Sequence, residues 1–539
     1  MRLLLHRIFF LLTTISTMGV LFSSCSKVAE PETFVPDRTF TPTEITATAA
    51  ETSAIITWRA SLFSAGQDVT YKLEIYNNAT FTGTPVYTAD FDTTAVVLFD
   101  TDLQVRTNYW ARIKANASTN MAGSIAWVAT LNPFRMTGEQ LFLPVLEAYI
   151  TDVSVQLRWQ PSPDFTKITI TPNGGSATNH TLSAGDLTAA QKTISGLTPS
   201  TNYTAELYKG AASKGIVTFT TKSAAPSGAN VVNVGPTDDL ATLLATVAPG
   251  TVFVLQNGSL HVTDNIVNLP AGASFTIWGQ YGPTKPVIAF NGLNLAATTG
   301  TIRFENVDLT GYQNNNPSGT KRNYIFNQSA ANTTTAIEFE NCIVRNFVNT
   351  PMRLQGSAGQ TIGTFSMNKC TVYDVGNNGA NGTYAMVHTN VATGKINNIR
   401  ITNSTMYQVG YSIILHNAAP SQTVLIENCT IDNSIGDGRY VIDYNTQGIA
   451  ASFQINNTII GKTLSPANTA RGVRAGNAPA TTNNFQVANA IIAANPIPGI
   501  TAYAGNNTDL FTNPAAGNFL IKDATFAGKS TSGDPRWRL

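Results

Sequence analysis

Charged side chains are scarce in this chain. Asp, Glu, Lys and Arg make up 12% of its 539 residues, about half the share usual in a globular protein. With 33 basic against 32 acidic side chains, there is no net field to gather a polynucleotide, and no nucleic-acid partner is expected. Cysteine is nearly missing. Beyond Cys25 there are only Cys342, Cys370 and Cys429, an odd number that cannot all pair, which argues against a disulfide framework or a cysteine metal site. Acidic residues do not cluster: Asp308, Asp374, Asp432, Asp437 and Asp443 stand apart. No cofactor is therefore expected. Calcium stays open, although no acidic cluster is seen to hold it. After the N-terminal segment no apolar run approaches the roughly 18 residues of a membrane span.

What the chain does have is 43% hydrophobic residues, 41 glycines and abundant Asn and Thr, a composition suited to β-structure with many tight turns. So long a chain exceeds one ordinary hydrophobic core, and two to four domains are expected unless part of it is a solenoid.

Residues 1–24 carry Arg2 and Arg7, an apolar stretch, and Ser23-Ser24 before Cys25. These are the three regions of a secretory signal. The small residues before the cysteine resemble a lipoprotein signal-peptidase site, which makes Cys25 the lipidation site and residues 25–38 a tether to the membrane. Without residues 1–24 the chain holds 31 basic and 32 acidic side chains.

Two segments, 39–133 and 142–222, repeat one pattern. Leu103-x-x-x-Thr107-x-Tyr109-x-Ala111-x-Ile113 matches Leu197-x-x-x-Thr201-x-Tyr203-x-Ala205-x-Leu207 at an offset of 94. Trp58 and Trp159 each sit in an alternating strand upstream, the inward position of a sandwich core. The Leu-x-Pro-x-Thr-x-Tyr form, intact in the second copy, resembles fibronectin type III domains. That resemblance implies that Tyr109 and Tyr203 pack at a strand corner with their hydroxyls on nearby backbone.

From Ile302 onward a longer period takes over. The segments IRFENVDL, IEFENCIV, FSMNKCTV, IRITNSTM, VLIENCTI, FQINNTII and FQVANAII place Asn306, Asn341, Lys369, Asn403, Asn428, Asn457 and Asn489 in one column, 35, 28, 34, 25, 29 and 32 residues apart. Repeats of this size mean a solenoid. Asparagine suits a sharp bend because it tolerates the left-handed backbone region, and its amide can bond the next rung. The following column, Val307, Cys342, Cys370, Ser404, Cys429, Thr458 and Ala490, is small throughout, as a narrow interior requires. The cysteines are read as buried free thiols rather than a Cys342–Cys370 disulfide. A helix beginning near Asp238-Asp239 would lid the open end.

Lid, rungs and Asn column resemble the pectate-lyase superfold over residues 224–530, leaving 531–539 as a C-terminal tail. The expected fold is thus all-β: two fibronectin type III-like sandwiches followed by a right-handed parallel β-helix. The strands after the Asn turn, PMRLQ, YAMVHTN, YSIILHN, RYVIDYN and RGVRAGN, then stack with Arg353, His388, His416, Asp443 and Arg474 along one face about 20 Å long. Tyr384, Tyr411 and Tyr440 lie beside them, and Tyr444 is close by. Aromatic faces stack on sugar rings and arginines fork onto carboxylates, so this face is a candidate polysaccharide groove.

Lipidation site, sandwiches and β-helix together resemble surface lipoproteins of Bacteroidetes that accompany outer-membrane glycan importers. The resemblance implies an outer-membrane, surface-exposed protein that captures polysaccharide, including uronic-acid-rich glycan. A polysaccharide lyase and a surface adhesin are the alternatives, and no catalytic residue carries over from the lyases. Cys25→Ala should leave an unlipidated protein that no longer partitions with membranes on detergent extraction. Unchanged partitioning would refute the anchor.

Overall fold

The computed structural model describes residues 36–376 and 382–539; Cys25 and most of its tether lie outside them. The described chain forms two compact units, one holding the first sandwich and the other the second sandwich with the β-helix. Among the described residues no helix is long and apolar enough to cross a membrane.

The first sandwich pairs a three-stranded sheet (Thr43–Ala49, Ser53–Arg59, Ala95–Phe99) with a four-stranded one (Tyr71–Tyr76, Tyr87–Phe91, Trp110–Ala115, Val128–Ala129), all antiparallel. Alternation along these strands sends Trp58, Leu73 and Ile113 inward. The second sandwich is smaller, with four strands facing two around buried Trp159. The corner tyrosines take the role implied by the fibronectin pattern: the Gln104 N–H donates to Tyr109 Oη at 3.1 Å and the Thr198 N–H to Tyr203 Oη at 2.8 Å.

The rest is a parallel β-helix with three faces: two ten-stranded sheets and one of eight strands, each ordered by steps of one rung. The first sheet opens with Val231–Val234, which pairs in parallel with Thr251–Leu255. A helix, Leu240–Ala245, lids this end as expected; the Asp239 carboxylate accepts from the Ala241 N–H, while Leu240 and Leu244 join the core.

The bend between the first and second sheets carries the asparagine column. Asn306, Asn341, Lys369, Asn403, Asn428 and Asn457 all hold φ between 50° and 57°. The side chains ladder: Asn341 Nδ2 donates to Asn306 Oδ1 at 3.1 Å and Asn428 Nδ2 to Asn403 Oδ1 at 3.0 Å. Lys369 cannot pass such a bond on, and Asn403 reaches past it to Asn368 Oδ1 at 2.8 Å.

The seventh rung corrects the sequence reading. Thr482 pairs with Asn456, so the bend residue is Asn483 (φ 55°), which donates to Asn457 Oδ1 at 3.1 Å. Phe485 stacks on Ile459 in the second sheet rather than on Phe453 in the first. The inward column therefore ends in Asn484 rather than Ala490, and the buried Asn484 amide is satisfied by the Thr458 N–H and the Ile455 carbonyl. Asn489 instead bonds Asn507 in the C-terminal cap. A second left-handed column, Asn346, Asp374, Gln408 and Asn433, bends the second sheet and was not anticipated.

Residues 531–539 are not a free tail. The Gly533 N–H bonds the Asn457 carbonyl, Asp534 is buried and accepts from Thr405 Oγ1 at 2.7 Å, and Trp537 Nε1 donates to the same Thr405 hydroxyl oxygen. Arg538 donates to Asn428 Oδ1 at 2.7 Å. The segment is strapped along the asparagine bends.

Cys342, Cys370 and Cys429 are free thiols, all buried. Burial raises the Cys370 thiol and pushes Cys429 up to about 12, so neither offers thiolate near neutral pH. A thiol reagent should label the three only after unfolding, and fast labelling of native protein would refute the inward column. Cys370→Phe should overpack the interior and cost about 1–3 kcal/mol in denaturant titration.

Candidate functional site

The eight-stranded third sheet follows the second at each rung and presents one outward residue between two inward ones. Its strands Tyr324–Gln328, Thr350–Leu354, Val387–Thr389, Ile414–His416, Tyr440–Asp443 and Arg471–Arg474 pair in parallel, rung on rung. The register sets the outward column as Asn327, Arg353, His388, Leu415, Asp443 and Arg474. Four of the five expected column residues, Arg353, His388, Asp443 and Arg474, are thereby brought together.

His416 is the exception and a correction. Thr389, not His388, pairs with His416, which turns His416 into the interior. There it is wholly buried, its ring stacked on Tyr444 with centroids 5.1 Å apart. His416 Nδ1–H donates to the Ala419 carbonyl at 2.8 Å, and Nε2 accepts from the Ile396 N–H at 3.0 Å. Burial holds it down at about 4. It is a neutral structural histidine. Tyr444 is likewise interior, bonded to Ser421 Oγ at 2.8 Å, and burial raises its hydroxyl well above the usual range.

Beside the outward column runs a row of arginines lying on tyrosines. Arg353 sits 4.5 Å over the Tyr384 ring and donates to Tyr324 Oη at 3.1 Å. Arg439 sits 4.1 Å over Tyr411 and donates to its hydroxyl at 2.9 Å. Tyr440 carries two, Arg474 at 4.4 Å and Arg471 at 5.3 Å, and accepts from Arg471 Nη1 at 3.0 Å. Such partly exposed cation–π pairs contribute about 0.5–1 kcal/mol each and hold the guanidinium groups over the rings. Tyr324, Arg439 and Arg471 were missed by the sequence reading, although the two arginines open the very segments RYVIDYN and RGVRAGN.

Two column members are neutralised internally: Arg474 grips Asp443 through Nε and Nη2 at 2.9 and 2.8 Å. His388 stands edge-on between Tyr384 and Tyr411, with centroids 4.8 and 6.2 Å away. Its Nδ1 accepts from the Ala385 N–H at 3.2 Å, which puts its proton on Nε2. Burial, then the charge of Arg353, pushes it down to about 3. The face thus offers flat aromatic and guanidinium surfaces and fixed donors, with no histidine base in its working range near neutrality. Among the described residues no group of three or more His, Cys, Asp or Glu side chains is gathered that could hold a metal ion. A cleft of about 720 Å³ opens elsewhere on this unit, lined by Tyr281, Glu305, Lys369 and Arg536 among others, and none of the expected site residues borders it.

Two family models match the β-helix, both domains of unknown function: DUF4957 over residues 266–409 and DUF5123 over 424–537. No curated protein matches. Among solved structures, a two-domain fibronectin type III segment of chicken tenascin is 14% identical, covering 34% of this chain and 99% of its own at a TM-score of 0.18. The FN1–FN3 domains of chicken CNTN1 are 11% identical, covering 35% of this chain and 68% of their own at a TM-score of 0.16.

The buried histidines make the unit acid-sensitive. His388, His416 and His261 are all held below the ordinary imidazole value by burial, so the unfolded chain takes up protons first and stability falls as pH drops below about 6.5. Burial raises Asp432 to about 6, which opposes the trend by one proton between about pH 6 and 4. The net loss should reach roughly 1.4 kcal/mol per pH unit for each uncompensated proton. Urea midpoints between about pH 7 and 5 should fall accordingly, and His416→Gln should flatten the slope by one proton.

Proposed function

We propose that this chain is a cell-surface polysaccharide-binding lipoprotein that holds glycan along the third sheet of its β-helix. The observation that carries the reading is the row of arginine-on-tyrosine pairs, Arg353–Tyr384, Arg439–Tyr411 and Arg474–Tyr440, on neighbouring rungs of one face. Sugar rings stack on such flat surfaces, and the guanidinium edges donate to hydroxyls and carboxylates. Uronic-acid-containing glycan is the substrate class this surface suits, because Arg353, Arg439 and Arg471 have no carboxylate partner among the described ion pairs. Attachment at the outer membrane through Cys25, with a glycan importer as partner, belongs to the same proposal and is supported by the signal sequence alone. The lyase alternative loses its histidine base, because His416 is buried and bonded at both nitrogens.

Affinity gels loaded with acidic polysaccharides should retard the protein without any rise in the absorbance of unsaturated uronides. Arg439→Ala or Tyr411→Ala should weaken binding by about 1–3 kcal/mol, and added salt should weaken it further. Product formation would favour the lyase, and the absence of both retention and product would favour an adhesin.

A further inference from the structure

One end of the outward column differs from the rest. Asn327, Arg353 and His388 are in direct register on three successive strands. Each has a polar side-chain atom shut off from solvent and without a partner among the described residues: Asn327 Oδ1, Arg353 Nε and His388 Nε2. Leaving a buried donor or acceptor unpaired costs about 1–3 kcal/mol, so three on adjacent rungs of one face call for an explanation. Interior packing does not supply it. Trp58, Trp159, Gln360 and Thr389, which also carry such atoms, face their cores, whereas this column faces outward. His388 itself is only 3% exposed.

The two donors are also held in place. Arg353 is fixed by Tyr324 Oη and the Tyr384 ring, and His388 by the Ala385 N–H and the edges of Tyr384 and Tyr411. Farther along the column no such unpaired atom is found: Leu415 is apolar, and Asp443 and Arg474 satisfy one another.

We infer that Asn327, Arg353 and His388 form a subsite for a single oxyanion-bearing sugar unit, its carboxylate or sulfate oxygens accepting from Arg353 Nε–H and His388 Nε2–H while a neighbouring hydroxyl donates to Asn327 Oδ1. One guanidinium and one uncharged imidazole balance one negative charge. Along the column itself the next two rungs present a leucine and an internally neutralised pair, so the column reads a single oxyanion. The inference rests on the glycan-binding reading and sharpens it: one anionic sugar of the bound polymer is read at this end of the column.

Calorimetry on the full-length protein would use size-matched oligosaccharides of three kinds: polygalacturonate, an alternating uronate such as hyaluronan, and a sulfated alternating chain, each with its carboxyl-reduced form where one exists. Wild-type protein should bind each uronate chain at least tenfold more tightly than its carboxyl-reduced form. The uronate and sulfate arms identify which oxyanion is read. Arg353→Ala should reduce binding of the anionic chain at least tenfold, to the level of its carboxyl-reduced counterpart, whose own affinity should not change. Arg353→Lys, which keeps the charge but lacks the Nε–H fork, should recover little of the loss, and His388→Gln should lie between. Protection of the buried cysteines from thiol reagents confirms that each variant is folded. Equal losses on charged and carboxyl-reduced chains overturn the subsite while leaving glycan binding intact. Failure of wild-type protein to bind any glycan overturns the wider reading, and the subsite with it.

Discussion

Everything in the β-helix depends on one rung lying on the next at the hydrogen-bonding distance of β-strands, about 4.8 Å. That constraint leaves no room for a bend to wander. Each rung must turn at the same place, and the turn is made by a residue that accepts a left-handed backbone and passes a hydrogen bond to its neighbour. Asparagine does both, which is why Asn306, Asn341, Asn403, Asn428, Asn457 and Asn483 recur there. The interior follows from the same spacing: beside the bend only small or self-satisfied side chains fit, such as the cysteines, Ser404, Thr458 and the amide of Asn484.

A solenoid built this way has ends, and each end is covered differently. The Leu240–Ala245 helix inserts two leucines over the first rungs. At the far end the chain folds back, pairs Phe511–Asn513 with Asn518–Ile521, and then runs along the asparagine bends from Asn483 toward Cys370. Arg536 and Arg538 bond backbone and side-chain oxygens of rungs far away in sequence, and the buried Asp534 receives the hydroxyl of Thr405. The strap crosses several rungs, so it ties together units that otherwise contact only their neighbours.

The third sheet gives this scaffold its chemical character. Stacking converts a one-residue choice on each strand into a continuous row, so that residues scattered over about 150 positions of sequence share a single face. Its arginines are not loose charges. They lie on tyrosine rings, and Arg353, Arg439 and Arg471 bond tyrosine hydroxyls while Arg474 grips Asp443, an arrangement that fixes their orientation.

The amino-acid sequence by itself determined the duplicated sandwiches, the solenoid period, the asparagine bend and the buried cysteines, because each is a local pattern that repeats at a readable interval. The seventh rung escaped it. FQVANAII has the same polar and apolar order as its predecessors, and only pairing across rungs shows that Phe485 follows the bend instead of preceding it. His416 escaped for the same reason on a smaller scale: YAMVHTN and YSIILHN match by eye, yet the ladder sets His388 opposite Leu415. In a β-strand successive side chains point to opposite faces, so that single-residue slip separates an outward histidine between two tyrosines from an interior one bonded at both nitrogens. Register between strands is a property of the assembled helix, and it alone decided which of the legible residues meet on one face.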